Sequence, residues 1–253
     1  MNDPSPRYWQ IFLELFEGLP RQGPGDRSSA ARALALCAEL PAEPTVVDLG
    51  CGVGAQTLHL AEMTAGVITA VDNHAPFTER LARTLAEHGL SQRVHPLVAD
   101  MADLELPPGS ADLVWSEGAL YQIGLDRALR VCHGLLRPGG YLAFTDAVWR
   151  KDNPPPDVKA AFQAGYPTMG RVADVLRTIG RAGFSLVGHF PLPDQAWWDD
   201  FYTPMKRRIA LLRARYAADA EALAVLAELA QEPEMHRRHS DCYAYEFFVA
   251  RRQ

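Results

Sequence analysis

The amino-acid sequence predicts an α/β domain in which helices cover both faces of a mainly parallel sheet. The first observation is an alternation of short apolar segments with amphipathic helical segments from about residue 45 onward. The second is a glycine-rich turn between the first strand and the next helix, in VVDLGCGVGAQTLHLA (46–61). The third is that an aspartate stands at or near the end of each of the first three predicted strands. A chain of 253 residues, 48% of them hydrophobic, can bury a core of this kind.

Seven strands and the helices between them follow from the spacing of apolar residues. The predicted strands cover 45–50, 67–72, 93–100, 111–116, 141–146, 184–190 and 243–252. The predicted helices cover 7–17, 30–40, 54–64, 76–89, 125–136 and 171–182. Asp26 or Ser28 is expected to cap the second helix.

Two long stretches do not fit this alternation. Residues 151–170 are predicted as a loop, whereas 191–240 are mostly helix-forming. Insertions at strand ends are where an α/β scaffold usually builds its substrate pocket. We therefore predict an N-terminal helical cap over 1–40 and a main domain over 41–253, with the cap and both insertions forming a lid.

Charge and composition exclude several classes of protein. The formal net charge of -6 argues against a nucleic acid as the main partner. Neither a membrane-spanning run nor a signal peptide is evident in the sequence. The four cysteines (Cys37, Cys51, Cys132 and Cys242) are widely spaced, which predicts reduced thiols in a cytoplasmic protein.

The glycine-rich turn predicts a loop that lies against a nucleotide-like cofactor. Gly50, Gly52 and Gly54 allow a sharp turn and a close approach of the backbone to a ligand. The spacing also satisfies the dinucleotide fingerprint, with Ala55 in its last position, so the loop alone does not separate NAD or flavin from S-adenosylmethionine. Asp48 favours S-adenosylmethionine, because a carboxylate repels a pyrophosphate and attracts an ammonium or a sulfonium. The alternative for Asp48 is a turn residue that bonds nearby backbone N–H groups.

Two further aspartates end the second and third predicted strands. Asp72 is placed to accept hydrogen bonds from both hydroxyls of a ribose, a device that NAD enzymes share. Asp100 is placed to accept from the exocyclic amine of adenine, while the N–H of Met101 donates to a ring nitrogen. Each aspartate alone also fits a solvated strand end. Three of them in register with the glycines favour a ligand that contains adenosine.

Five pieces of the sequence resemble, in order and spacing, the class I S-adenosylmethionine-dependent methyltransferases. The pieces are VVDLGCGVG, ITAVD, VADMADL, ADLVWSEGALYQIG and LLRPGGYLAFTD, and the resemblance covers about 45–190 and the last strand. More narrowly, WSEGALYQIG, QGPG, FYTP and YEFFVARR resemble a bacterial subgroup of small-molecule methyltransferases. The resemblance implies a Rossmann-like sheet whose last strand runs antiparallel between the fifth and sixth. It also implies S-adenosyl-L-methionine as cofactor and S-adenosyl-L-homocysteine as its product.

The resemblance also assigns residues to parts of the cofactor. It implies that the glycine loop and its preceding acid surround the methionine moiety, that Asp72 binds the ribose, and that Asp100 and Met101 bind the adenine. The predicted cofactor-binding residues are Asp48, Gly50, Cys51, Gly52, Gln56, Asp72, Asn73, Asp100, Met101, Ser116 and Glu117.

Catalytic residues are harder to predict, because transfer of an activated methyl group depends mainly on holding the acceptor in line. A general base is needed only if the acceptor is protonated at working pH. Glu117 and Tyr121, in WSEGALYQIG after the fourth strand, are the catalytic candidates, although Glu117 could instead cap the next helix. Aromatic side chains are expected to line the substrate pocket, although rings at helical spacing equally pack a core. The predicted pocket residues are Tyr8, Trp9, Tyr121, Trp149, Tyr166, Trp197 and Tyr202.

The sequence therefore predicts an S-adenosylmethionine-dependent methyltransferase that acts on a small molecule. Two alternatives remain open: the same fold acting on RNA or protein, and a non-catalytic protein that binds the cofactor. No metal site is predicted, because His236 and His239 stand among arginines that oppose cation binding.

Overall fold

The computed structural model describes residues 5–253 and is built around one sheet of seven strands. The strands are β1 (Thr45–Leu49), β2 (Val67–Asp72), β3 (Val94–Val98), β4 (Ala111–Glu117), β5 (Leu136–Trp149), β6 (Phe184–Pro191) and β7 (Tyr243–Arg252). Their order across the sheet is β3-β2-β1-β4-β5-β7-β6. The first five strands pair in parallel, and β7 runs antiparallel between β5 and β6. The predicted sheet, including its antiparallel last strand, is confirmed.

Eleven helices are found in the part of the chain that the structure describes. They are α1 (Pro6–Glu17), α2 (Arg27–Ala35), α3 (Ala55–Met63), α4 (Ala75–Glu87), α5 (Leu125–Leu135), α6 (Pro156–Gly165), α7 (Val172–Arg181), α8 (Gln195–Trp197), α9 (Thr203–Arg215), α10 (Ala220–Leu229) and α11 (Gln231–His239). A 3₁₀ turn covers Leu120–Ile123, and a π-helical turn over Trp198–Tyr202 joins α8 to α9.

Three elements differ from their predicted bounds for local reasons. Helix α2 starts earlier than predicted, because the carboxylate of Asp26 accepts the N–H of Ser29 at 2.8 Å and caps it. Strand β3 stops before Asp100, whose carboxylate accepts the N–H of Ala102 at 2.8 Å and starts a turn. The segment predicted as a loop over 151–170 contains α6, which begins with a proline at its first position, where no N–H is needed.

The N-terminal helix and the long insertion form one helical layer. Ile11 and Leu15 of α1 pack in the same apolar cluster as Met205 and Ile209 of α9 and Leu226 of α10. These five side chains are at most 3% exposed, and each contributes about 1.5–3 kcal/mol through burial. The cap and the 191–240 insertion are therefore held together by a shared core, and their action as a lid stays a prediction.

The thiols and helices bear on two further predictions. All four cysteines are buried and none is in a disulfide. Burial raises the pKa of Cys132 to about 12, so this thiol stays protonated and unreactive. Between residues 5 and 253, no helix has both the length and the apolar character needed to cross a membrane.

Candidate functional site

The glycine loop lies where the order of strands in the sheet reverses. The chain moves outward from β1 through β2 to β3, and then returns to place β4 on the other side of β1. In open α/β sheets, a ligand crevice lies outside the carboxyl ends of the strands at such a reversal. The glycine loop leaves β1 at this edge, and WSEGALYQIG leaves β4 beside it. Two of the predicted motifs therefore meet.

The glycines of the loop hold backbone where no side chain fits. All three have positive φ, between 55° and 90°, a region that other residues rarely adopt. A Cβ on Gly50 would lie 2.2 Å from the Cβ of Ala119, and one on Gly52 would lie 2.4 Å from Oε1 of Gln22. The loop backbone therefore lies in direct contact with neighbouring groups, with no side chain of its own between them.

Asp48 is fully buried at the end of β1 and is bonded to side chains of α3. Oγ1 of Thr57 donates to Oδ2 of Asp48 at 2.6 Å, and Nε2 of Gln56 lies 3.4 Å from Oδ1. Burial raises the pKa of Asp48 from 3.8 to about 7, against the opposing hydrogen bond from Thr57. The carboxylate bonds none of the backbone N–H groups of its own turn in the described chain. A nearby cation would stabilise its charged form.

Asp72 fixes the glycine loop against the end of β2. Its Oδ2 accepts the N–H of Gly52 and its Oδ1 accepts the N–H of His74, both at 2.9 Å. Each carboxylate oxygen can accept a second hydrogen bond, so the half-buried group retains capacity for the hydroxyls of a ribose.

The other residues predicted to contact the cofactor divide into two groups. Ser116 is buried and its hydroxyl donates to the carbonyl of Leu49 at 2.8 Å, which ties β4 to β1. Cys51 and Gln56 are also buried beside the loop. Asn73 and Asp100 are exposed beyond the ends of β2 and β3.

Met101 reaches back from this outer edge to the glycine loop. Its Cε lies 3.6 Å from the position that a Cβ on Gly50 would occupy. The thioether can therefore form an apolar wall beside the crevice.

Glu117 is held in a buried ion pair with Arg21, a residue that the sequence analysis missed. The guanidinium of Arg21 contacts Oε2 of Glu117, and the two side chains are only 4% and 2% exposed. The other carboxylate oxygen accepts the indole N–H of Trp115 at 2.8 Å. The charge of Glu117 is therefore neutralised by the chain itself. As a catalytic base it would first have to leave this pair, and that role stays a prediction.

The loop between α1 and α2, which contains QGPG, covers the glycine loop. The sequence alone did not predict this contact. Oε1 of Gln22 accepts the N–H of Val53 at 2.9 Å, and its Nε2 donates to the carbonyl of Phe16 at 3.0 Å. The N–H of Gly25 donates to the carbonyl of Ala196 at 3.0 Å. This loop thus joins the cap, the glycine loop and the 191–240 insertion.

A set of aromatic side chains and one acid lies beside the end of β4, and we call it the aromatic pocket. The ring of Trp197 meets that of Tyr245 edge-on at 5.1 Å and lies 5.8 Å from that of Tyr202. The hydroxyl of Tyr202 donates to Oε1 of Glu232 at 3.0 Å. A Cβ on Gly118, the residue after β4, would lie 3.2 Å from the ring of Tyr245. The aromatic pocket comprises Tyr121, Trp197, Tyr202, Glu232 and Tyr245.

Tyr121 joins this pocket to a buried acid, Asp146. Its ring lies 5.1 Å from that of Tyr166, whose hydroxyl donates to Oδ2 of Asp146 at 2.9 Å. Burial raises the pKa of Asp146 to about 7, and it also raises the pKa of Glu232. Burial raises the pKa of Tyr121 to about 12, so this hydroxyl stays protonated at neutral pH.

Four of the predicted pocket residues, Tyr121, Tyr166, Trp197 and Tyr202, are thus brought together, and the other three lie further out. Trp149 is half-buried and packs edge-on against Phe162 at 5.3 Å. Tyr8 stacks on Phe12 in α1 and is half-buried. Trp9 is 48% exposed on the outer side of α1. No role was predicted for Glu232 or Tyr245, because only the folded chain brings them beside Tyr202 and Trp197.

Comparisons with known proteins identify the same region. Residues 46–140 match the family model described as a methyltransferase domain. The chain is 36% identical over 115 residues to the dimethylglycine N-methyltransferase of Parasynechococcus marenigrum, covering 45% of this chain and 41% of that protein. Over the first three curated relatives, the match spans 41% to 47% of their length.

Solved structures match almost the whole chain in fold. The structure of a SAM-dependent methyltransferase from Thiobacillus denitrificans in complex with S-adenosyl-L-homocysteine matches with a TM-score of 0.83 and 21% identity, covering all of both chains. The [4+2]-cyclase SpnF matches with a TM-score of 0.74 and 20% identity, covering 97% of this chain and 92% of that one. At such identities the likeness concerns the fold alone. Over residues 46–140 the chain is therefore similar to the family described as a methyltransferase domain, and over its whole length it shares the fold of these solved structures.

Proposed function

We propose that this protein transfers the methyl group of S-adenosyl-L-methionine to a small-molecule acceptor. The observation that carries the proposal is the position of buried Asp48 beside a loop of bare glycine backbone, at the reversal point of the sheet. A carboxylate in that place suits a ligand with a positively charged sulfur and an ammonium, and opposes a pyrophosphate.

S-adenosyl-L-methionine would supply a methyl group that is already activated by a positive charge on sulfur. The backbone of Gly50 and Gly52 would hold its methionine part, and the carboxylate of Asp72 its ribose. Asp100 with Met101 would border the adenine. The aromatic pocket, next to Gly118, would orient the acceptor and exclude water from it, so that position supplies most of the acceleration.

A small acceptor fits this arrangement better than RNA or protein does. The pocket residues Trp197 and Tyr202 are at most 5% exposed beneath the helical layer. The chain carries a net charge of -6, which disfavours approach to RNA. The relative named a dimethylglycine N-methyltransferase also acts, by its name, on a small molecule. Buried, unpaired cysteines agree with a reducing compartment, and a cytoplasmic location remains part of the proposal.

A second candidate is a protein that uses the same fold without transferring a methyl group. The similarity in fold to a protein named as a [4+2]-cyclase favours considering it, because one fold can host different chemistry. This candidate differs from the proposal in one measurable respect, the appearance of a methylated product.

The test incubates the purified chain with radioactively labelled S-adenosyl-L-methionine and a small-molecule metabolite extract. Label in a new compound, together with S-adenosyl-L-homocysteine in equal amount, supports methyl transfer. Tight binding of the donor without labelled product supports the second candidate. Label in RNA or protein, and none in small molecules, would contradict the choice of acceptor.

A further inference from the structure

Two acids, one within the aromatic pocket and one beside it, lack a basic partner. Glu232 is bonded by the hydroxyl of Tyr202, and Asp146 by the hydroxyl of Tyr166 and the N–H of Ala147. Among residues 5–253, neither carboxylate forms an ion pair with lysine, arginine or histidine. Glu117 differs from both, because Arg21 neutralises it. Buried carboxylates that no cation balances are costly for the folded protein.

Aromatic rings surround Tyr202, the hydrogen-bond partner of Glu232. Tyr245 and Trp197 stand at 90° to each other with centroids 5.1 Å apart, and His236 stacks on Trp197 at 4.2 Å. Tyr202 adds a third ring, 5.8 Å from Trp197. The faces of tyrosine and tryptophan rings attract ammonium groups, most strongly where water is excluded.

Three members of the aromatic pocket are incompletely buried. Tyr121, Tyr245 and Glu232 are only half-buried, although the pKa of each is raised by removal from water. The hydroxyl of Tyr245 has no hydrogen-bond partner in the described part of the protein, yet it is not sealed from solvent-sized space. Tyr245 also borders Gly118, at the end of β4 where the reaction is proposed to occur.

We propose that the acceptor is a small aliphatic amine, which the rings of Tyr245 and Trp197 and the carboxylate of Glu232 hold for methylation on nitrogen. This inference rests on the proposed function and specifies its substrate class. An amine arrives largely as an ammonium ion at neutral pH, and this form matches the unbalanced carboxylate and the rings. A neutral alcohol of the same shape lacks the charge that the pocket is built to accept.

The transfer balances with groups already present. The ammonium first gives one proton to the carboxylate of Glu232, which frees the lone pair on nitrogen. That lone pair forms the new N–C bond while the C–S bond of the donor breaks, and the electron pair of the broken bond stays on sulfur. The products are the methylated ammonium, S-adenosyl-L-homocysteine and a protonated Glu232, which then returns its proton to water.

The test measures binding rather than turnover. The full chain, saturated with S-adenosyl-L-homocysteine, is titrated calorimetrically with butylamine, N,N-dimethylbutylamine and 1-butanol. We expect both amines to bind at least tenfold more tightly than the alcohol. Glu232→Gln should remove that preference and leave the affinity for S-adenosyl-L-homocysteine unchanged. Glu228→Gln, an exposed position one turn away, is the matched control and should behave as the original chain.

A second pair of variants keeps the proposal testable if Glu232→Gln does not fold. Tyr245→Phe retains the ring and should retain the amine preference, whereas Tyr245→Leu should lose it. Equal binding of butanol and the amines would overturn the proposal, and so would an amine preference that survives both Glu232→Gln and Tyr245→Leu. Amine titrations are repeated without S-adenosyl-L-homocysteine. A failure of S-adenosyl-L-homocysteine to bind then counts against the proposed function, while the amine preference is still decided.

Discussion

Replacing Asp48 by asparagine should make the protein more stable above pH 7. The pKa of this fully buried group is raised from 3.8 to about 7, chiefly by burial. At about 1.4 kcal/mol per pKa unit, the ionised carboxylate costs the folded state about 4 kcal/mol. The folded protein holds this proton more tightly than the unfolded chain does. Stability contributed at low pH is therefore lost as the pH rises from about 4 through about 7.

Asp48→Asn removes the charge and keeps an oxygen that can accept from Thr57. Allowing about 1 kcal/mol for a poorer hydrogen-bond arrangement, we expect a gain of about 1–3 kcal/mol at pH 8 and little or no gain at pH 5. Urea unfolding at the two pH values measures it. Asp146, whose pKa is also raised to about 7, is present in both proteins and cancels from the comparison. A variant that is less stable at pH 8, or equally changed at both pH values, would refute the reasoning.

Two other perturbations test the packing around the site. Arg21→Met leaves Glu117 buried without its partner and should lower the free energy of unfolding in urea by about 3–5 kcal/mol. The double variant Arg21→Met with Glu117→Gln should recover most of that loss. A cost below about 1 kcal/mol would show that the pair is not buried in solution. Gly50→Ala should abolish donor binding. Its Cβ would lie 2.2 Å from the Cβ of Ala119 at a φ of 71°, so the loop backbone would have to move. Gly89→Ala is the control: its φ of 68° is similar, but a Cβ there has nothing within 4 Å, so the variant should be destabilised by backbone strain and keep donor binding. Equal effects of the two substitutions would show that the contact with Ala119 is not the cause.

The sheet was predictable because its signals are local. Apolar segments predicted every strand, and the glycines between Gly50 and Gly54 predicted the loop between β1 and α3. The lengths of β3 and β5 were predicted less accurately. Strand β5 continues to Trp149 only through its pairing with β7, and β3 stops where Asp100 turns the chain.

The site was predicted less completely than the sheet, for a different physical reason. Asp48 and the motif around Glu117 are each recognised within one short segment of the sequence. The partner of Glu117 is Arg21, which lies 96 residues earlier in the chain. Glu232 likewise enters the aromatic pocket only through the fold of the 191–240 insertion. In the sequence, an exposed glutamate in the first turn of a helix cannot be told from a half-buried one beside a pocket.

The most direct measurement is the affinity of the protein and of Asp48→Asn for S-adenosyl-L-methionine, compared with NADH, by calorimetric titration at pH 8. We expect the protein to bind S-adenosyl-L-methionine in preference to NADH, and the folded variant to lose about 10–100-fold in that affinity, as the loss of one charged contact of about 1.5–3 kcal/mol implies. Preference for NADH, or an unchanged affinity in the variant, would contradict a binding site for a cationic sulfur compound at the end of β1.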